Sequence, residues 1–223
     1  MIKMVVFDMA GTVIDENNVV YKTLLKAIQK HGYNLSLEEV LLEGAGKEKS
    51  KAIKDLLLRY FKIDDDEIVQ QIFSDFKIFL EVAYDTIEIK PQPGAEKVFA
   101  ELKKRGIYVV LNTGYDSETA HSILRKLSWE TGKHFDLLVT ASDVAHNRPN
   151  PDMIELAKRK FGLASAYHIV KVGDSTIDIE EGKNAGCYLS MGITTGAQSR
   201  AQLKAAQPDF IIDNLMEMLP LIE

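Results

Sequence analysis

Val5-Val6-Phe7-Asp8-Met9-Ala10-Gly11-Thr12 is a short apolar run that ends in an aspartate and then turns on Gly-Thr. A buried parallel strand reads this way, and it carries its last carboxylate to the carboxyl end of the sheet. Open α/β sheets bind their ligands there. Further along the chain, Ile107–Leu111, Leu137–Thr140, Ile169–Val172, Tyr188–Met191 and Phe210–Ile212 are short apolar runs, often β-branched, each followed by a helical pattern. That alternation predicts a parallel sheet with right-handed crossovers.

Between the first strand and the rest lies a helical block at about 17–88. Ser36-Leu37-Glu38-Glu39 is a capping box, and residues 47–61 and 65–84 carry apolar residues at helical spacing. Lys90-Pro91-Gln92-Pro93-Gly94 ends the block. The expected architecture is α/β: a Rossmann-like parallel core over 1–16 and 89–223, with a helical cap over 17–88 inserted into it.

A chain of 223 residues with 46% hydrophobic content can bury a core domain and a small second one. Its 27 basic and 33 acidic residues give a net charge of −6 with no basic block, so no nucleic-acid partner is expected. The N-terminal apolar run breaks at Asp8, too short for a signal peptide, and no segment approaches the roughly 20 apolar residues of a membrane span. Cys187, the only cysteine, excludes an intramolecular disulfide framework. It reads as an inert core thiol in a reducing cytoplasm.

Four strand ends carry matched chemical signals. Asp8 closes the first. The others are Leu111-Asn112-Thr113-Gly114-Tyr115, the loop Asn147-Arg148-Pro149-Asn150-Pro151-Asp152, and Lys171-Val172-Gly173-Asp174-Ser175-Thr176-Ile177-Asp178. Phosphoryl transfer needs a nucleophile, a group to hold an equatorial oxygen, a cation, and a carboxylate-bound metal to offset charge. Asp8, Thr113, Arg148 and Asp174 fill those roles in order. Mg²⁺ keeps several waters, so two carboxylates and a backbone carbonyl suffice to hold it. Asp178 would orient a metal-bound water or the Arg148 head group. Taken singly, each signal has an ordinary explanation: a helix-capping Asp, a Thr-Gly turn, a surface arginine, a carboxylate on a solvated helix face. Taken together, in order and each closing an apolar run, they point to one site.

This set of motifs, from Met4 to Gly186, resembles the haloacid dehalogenase superfamily. Relatives in that superfamily usually carry an acid/base Asp where this chain has Ala10, and Lys where it has Arg148. Both departures, with Thr113-Gly114-Tyr115 and Glu181-Gly182-Lys183-Asn184-Ala185-Gly186, resemble the phosphonoacetaldehyde hydrolase family. The resemblance implies Mg²⁺ on Asp8, the Ala10 carbonyl and Asp174, and substrate contacts at Gly11, Thr12, Gly46, Gly114 and Tyr115. It also implies a cap lysine that forms a Schiff base with an aldehyde-bearing phosphonate. The protonated imine draws electrons from the P–C bond, carbon leaves as a neutral enamine, and no core acid is needed.

The family's cap motif is Gly followed three residues later by Lys, matched here by Gly46-Lys47-Glu48-Lys49. Lys47, Lys51 and Lys54 share one stripe, whereas Lys49 shares a face with Ala52, Ile53, Leu56 and Tyr60. A lysine on an apolar face loses hydration, which favours the neutral amine. It also has an ordinary reading, as a side chain snorkelling from a helix start. Two positions depart from the family: Ala45 replaces its Met, and Ala52 replaces a histidine that assists proton transfer.

Three functions stand open from the residues. The first is a hydrolase of an aldehyde phosphonate through an aspartyl phosphate and a Lys49 Schiff base. The second is a phosphatase of a small phosphomonoester that lacks the usual core acid. The third is a catalytically silent phosphate-binding protein. The expected partner is a small phosphorylated or phosphonate metabolite, and a homodimer is compatible with all three.

Overall fold

The computed structural model describes residues 1–222, without the side chain of Asp85; Glu223, the last residue of the expected core, lies outside them. Strand β1 (Met4–Asp8) is followed by the short β2 (Ile14–Asp15). Four helices come next: α1 (Val19–Lys30), α2 (Leu37–Gly44), α3 (Lys49–Phe61) and α4 (Asp66–Thr86). The chain returns through β3 (Lys90–Pro91) and then alternates. Helix α5 (Ala95–Lys104) leads to β4 (Tyr108–Thr113), α6 (Ser117–Lys126) to β5 (Leu137–Thr140), and α7 (Asp152–Lys160) to β6 (Ile169–Gly173). Helix α8 (Thr176–Asn184) leads to β7 (Leu189–Ile193), and α9 (Arg200–Ala205) to β8 (Phe210–Ile212).

The main sheet is six-stranded, ordered β5-β4-β1-β6-β7-β8, and every pairing in it is parallel. Strand β1 is buried along its whole length because helices cover both faces of the sheet, which is why it reads as unbroken apolar sequence. Its neighbours β4 and β6 are reached by crossovers to opposite sides. The carboxyl end of β1 is therefore the switch point of the sheet, where a crevice opens.

The helical block forms as the spacing predicts. Ser36 caps α2, accepting from the Glu39 N–H at 3.2 Å while the Ser36 N–H donates to the Glu39 carboxylate at 2.7 Å. The fully buried residues Ala52, Ile53, Leu56 and Leu57 anchor α3.

Several local expectations need correction. Helix α3 begins at Lys49 rather than residue 47, because the Glu48 carboxylate caps the Ser50 and Lys51 N–H groups. Lys47, just ahead of the helix, pairs with Glu43 at 2.6 Å and Asp55 at 2.7 Å. The breaker at Lys90-Pro91 is itself a short strand, antiparallel to β2, that ties the two linkers together. The segment after β8 coils as a 3₁₀ helix over Leu215–Ile222, with Pro220 inside it. Cys187 is half-buried rather than deep in the core; burial pushes its thiol up to about 12, well out of the reactive range. Among the described residues, no helix is long and apolar enough to cross a membrane.

Candidate active site

Three strand ends converge on the crevice. Asp8 closes β1, Thr113 closes β4, and Asp174 follows β6 directly, with Asp8 in register with Asn112. The Arg148 loop comes in from beyond β5 and buries its guanidinium at 2% exposure. Arg148 Nη1 lies 2.7 Å from Asp8 Oδ1 and 2.9 Å from Asp178 Oδ1, and Nε lies 3.3 Å from Glu181 Oε2. Nη2 donates to the Asn112 carbonyl at 2.8 Å and to its side-chain oxygen at 3.0 Å. The Nε and Nη1 hydrogens are not aligned on any of these partners.

Lys171 sits in the middle of β6 and is wholly buried. Its ammonium reaches Asp178 at 3.1 Å, Glu181 at 3.0 Å and Asn112 Oδ1 at 2.5 Å. Asp178 therefore orients the Arg148 head group and also neutralises Lys171. A single charge could not be buried this deep; a hydrogen-bonded network of both signs can.

The charge count of this cluster does not close. Among the described residues, the four acids Asp8, Asp174, Asp178 and Glu181 have only Arg148 and Lys171 as ion-pair partners, so two negative charges remain within this cluster when all four are ionised. Carboxylate oxygens of Asp8, Asp174 and Asp178 all lie within 4.8 Å of one another. Asp174 has no cation partner among the described residues; it accepts from the Ala197 N–H at 2.5 Å and from the Thr12 hydroxyl at 3.4 Å. Burial, then the charges of Asp8 and Asp178, push its pKa well above the usual carboxylate range. Burial also raises Asp8, with Arg148 pulling it back. A crowded all-oxygen set with two uncompensated charges fits a hard divalent cation. Ala10, half-buried, places the next turn of backbone beside Asp8.

The expected substrate contacts fall in two groups. Gly11 and Thr12 pack on Asp174: a Cβ on Gly11 would come within 2.5 Å of Asp174 Oδ2. Thr113 Oγ1 accepts from the Tyr115 N–H at 3.1 Å. Gly46, Gly114 and Tyr115 instead form the seam between cap and core. Gly114 faces the Gly46 and Lys47 carbonyls so closely that its absent Cβ would meet each at 3.1 Å.

The seam depends on Gly46. Its φ is +72°, and a Cβ would fall 2.1 Å from Ile177 Cγ2 and 2.5 Å from Ser175 Oγ. Gly46→Ala therefore forces this cap loop off the core and strains the backbone, by about 1–3 kcal/mol. KM for any substrate held between cap and core should rise about tenfold or more. An unchanged KM would mean that the seam plays no part in binding.

Lys49 lies on this seam at the first turn of α3. It is 5% exposed, and its Nζ donates to the Lys47 carbonyl at 2.6 Å. The ammonium sits 5.2 Å from the Tyr21 ring centroid and 5.4 Å from that of Tyr115. Burial brings its pKa down to about 8, while Asp8 and Glu48 resist the fall. A cavity of about 180 Å³ opens beside it, walled by Phe73, Phe76 and Leu80 of α4 and by Gly114 and Tyr115 of the core.

Comparison with known proteins gives the family. The family model for haloacid dehalogenase-like hydrolases matches residues 2–186. The chain belongs to that family. Its relatives include a phosphonoacetaldehyde hydrolase of Latilactobacillus sakei, 30% identical over 97% of this chain and 93% of the relative. They also include the pyrophosphatase PpaX of Bacillus cereus, 29% identical over 99% of this chain and 96% of the relative. Among solved structures, a phosphonoacetaldehyde hydrolase-like protein from Oleispira antarctica superposes with a TM-score of 0.85 at 23% identity, covering 99% of this chain and 91% of that one. A hydrolase from Pseudomonas syringae gives 0.86 at 20% identity, covering 98% and 96%. The protein is thus a hydrolase of this family, with a parallel core and a helical cap.

Sequence reasoning missed Glu16, Tyr21, Tyr84, Asn112, Lys171 and Glu181. For Lys171 a signal was present: a charge in the middle of an otherwise apolar strand is tolerated only with buried partners. Glu181 lies in a motif already singled out. Glu16 and Tyr84 are 68 residues apart and meet only in the folded chain.

Proposed function

We propose that this hydrolase cleaves the carbon–phosphorus bond of a small aldehyde phosphonate. Residues 1–16 and 89–223 would serve as catalytic core and 17–88 as cap. The observation that carries this reading is a lysine with a lowered pKa, buried where the closed cap meets the core, together with alanine in place of the core acid. Lys49 in its neutral form attacks the aldehyde carbon, and water leaves as the imine forms. Asp8 then attacks phosphorus while the P–C electron pair moves into the protonated imine, giving a neutral enamine and an aspartyl phosphate. Water hydrolyses the acyl phosphate; the enamine takes a proton on carbon, and hydrolysis of the imine frees Lys49. Arg148 and Thr113 hold phosphoryl oxygens throughout. Mg²⁺, held by Asp8, Asp174 and the Ala10 carbonyl, would offset the charge of the phosphonate dianion.

Borohydride reduction in the presence of phosphonoacetaldehyde tests the proposal, because only an imine is trapped as a stable amine. Mass spectrometry should find the adduct on the peptide containing Lys49. No adduct anywhere on the protein would overturn the C–P reading. The metal is tested separately. Mg²⁺ at a hundredfold excess over Kd should raise Tm by roughly 5–10 °C, and Asp174→Ala should abolish that rise. A Tm indifferent to Mg²⁺ and to chelator would remove the metal.

The second reading is a phosphomonoesterase, supported by Ala52 in place of the assisting histidine and by the pyrophosphatase relatives. Ala10→Asp separates the two. The new carboxyl can protonate an alkoxide leaving group, so alkyl phosphate hydrolysis should rise, by about 10²–10⁴-fold if the acid is well placed. It gives a departing enamine nothing and adds negative charge beside the phosphonate, so P–C turnover should fall. A folded variant that loses phosphate-ester activity would contradict the idea of a missing acid at position 10.

A further inference from the structure

Glu16 is a buried carboxylate outside the phosphoryl site, 3% exposed, in the linker between β2 and α1. Its two oxygens are divided between the two halves of the molecule. Oε2 accepts from the Tyr84 hydroxyl of cap helix α4 at 2.7 Å, and Oε1 accepts from the Tyr115 hydroxyl of the core loop after β4 at 3.0 Å. The Tyr115 backbone N–H is held in turn by Thr113 Oγ1 at 3.1 Å, and its ring lies 5.4 Å from Lys49 Nζ. Tyr21, whose ring centroid is 5.2 Å from the same ammonium, receives the Gly46 N–H on its hydroxyl at 3.1 Å. An unbroken chain of contacts thus runs from α4 through Tyr84, Glu16 and Tyr115 to Lys49.

We infer that Glu16 is a positioning residue: through Tyr84 and Tyr115 it clamps the closed cap onto the core and holds the Lys49 amine at the mouth of the phosphoryl site. This rests on the role for Lys49 proposed above. A leucine would fill the position without the cost of burying a carboxylate. What a leucine cannot do is accept from two hydroxyls that approach from different domains. Burial raises the Glu16 carboxyl, whereas the hydroxyls of Tyr84 and Tyr115, the Lys49 ammonium and the Val20 N–H favour its charged form. Lys49 in turn faces Asp8, Glu48, Arg148 and Glu16. The charge of Glu16 thus helps to keep a desolvated amine from losing its proton too easily.

The test needs no substrate, so it stands apart from the C–P reading. Hydrogen exchange of residues 46–52 reports cap closure. The pH dependence of Lys49 reductive methylation, read by peptide mass spectrometry, reports the amine itself. Glu16→Leu should speed exchange about tenfold or more and move the Lys49 labelling midpoint up, toward that of a hydrated amine, because burial is the largest influence on this amine and regained hydration outweighs the smaller effect of losing the Glu16 charge. Glu16→Gln can still bridge both tyrosines, accepting from one and donating to the other. It should therefore keep exchange within about threefold of wild type while labelling Lys49 about twofold faster at pH 7, because the negative charge is gone. If Glu16→Leu does not fold, Tyr84→Phe cuts the cap side alone and should also speed exchange. Wild-type exchange in the variants that break the bridge would overturn the clamp. Faster exchange with Lys49 reactivity unchanged would reduce Glu16 to a structural residue and overturn the positioning role. Failure to trap an imine, with these shifts present, would remove the C–P reading and leave the clamp.

Discussion

Asp8→Asn is expected to abolish turnover while leaving the fold intact. Among the described residues, Asp8 is the only carboxylate that both closes a strand of the switch point and lies 2.7 Å from the buried guanidinium of Arg148. Asparagine has the same shape and no nucleophilic oxygen, so kcat should fall by about 10⁴-fold or more. Stability should hold. Burial already raises the Asp8 carboxyl, and the substitution removes one negative charge from a cluster that has two in excess. Arg148 keeps Asp178 and Glu181 as partners. The measurement is kcat on one substrate beside a thermal melt. Activity within tenfold of wild type in a folded variant would remove Asp8 as the nucleophile.

Lys49→Arg is the second large effect. Arginine keeps the positive charge over the Tyr21 and Tyr115 rings but stays protonated at every accessible pH, so it cannot attack a carbonyl. P–C cleavage and the borohydride adduct should both disappear. Any phosphate-ester hydrolysis that relies on Lys49 only as a cation should remain within about tenfold. In the wild type, the acid limb of kcat/KM for an aldehyde phosphonate should follow the Lys49 midpoint at about 8, rising with pH as the neutral amine becomes available. P–C cleavage that survives Lys49→Arg would end the Schiff-base assignment whatever the fold. A phosphatase using Asp8 alone would show no such limb.

The family match and the site geometry meet at different levels. Relatives of nearly equal similarity are named for cleaving a phosphonate and a pyrophosphate. What they have in common is transfer of a phosphoryl group, and the core of this chain is arranged for that. On the function proposed above, the chemistry that separates them is decided at the seam between cap and core, where Lys49, Tyr115 and the cavity beside them lie.

The sheet and the strand-end residues of the candidate site could be read directly from the sequence because both are local. A parallel strand buried on both faces must be apolar for its whole length, and its terminal residue emerges at the crevice. Asp8, Thr113 and Asp174 therefore announce themselves where an apolar run stops. The capping box at Ser36 and the apolar face that Lys49 shares with Ala52, Ile53 and Leu56 are equally local, set by the helical repeat. Tertiary structure alone decided which charges neutralise each other. Arg148 and Lys171, from separate loops and strands, share Asp178 and Glu181 within a few ångströms. No periodicity encodes a pairing across 69 residues such as that of Asn112 with Glu181. It also decided the closure of the cap, since Gly46 against Ile177 and Glu16 between Tyr84 and Tyr115 exist only once the inserted helices have folded back over the crevice. A strand end shows where a reactive group emerges; whether that group is paired, desolvated or metal-bound depends on neighbours that are remote in the chain.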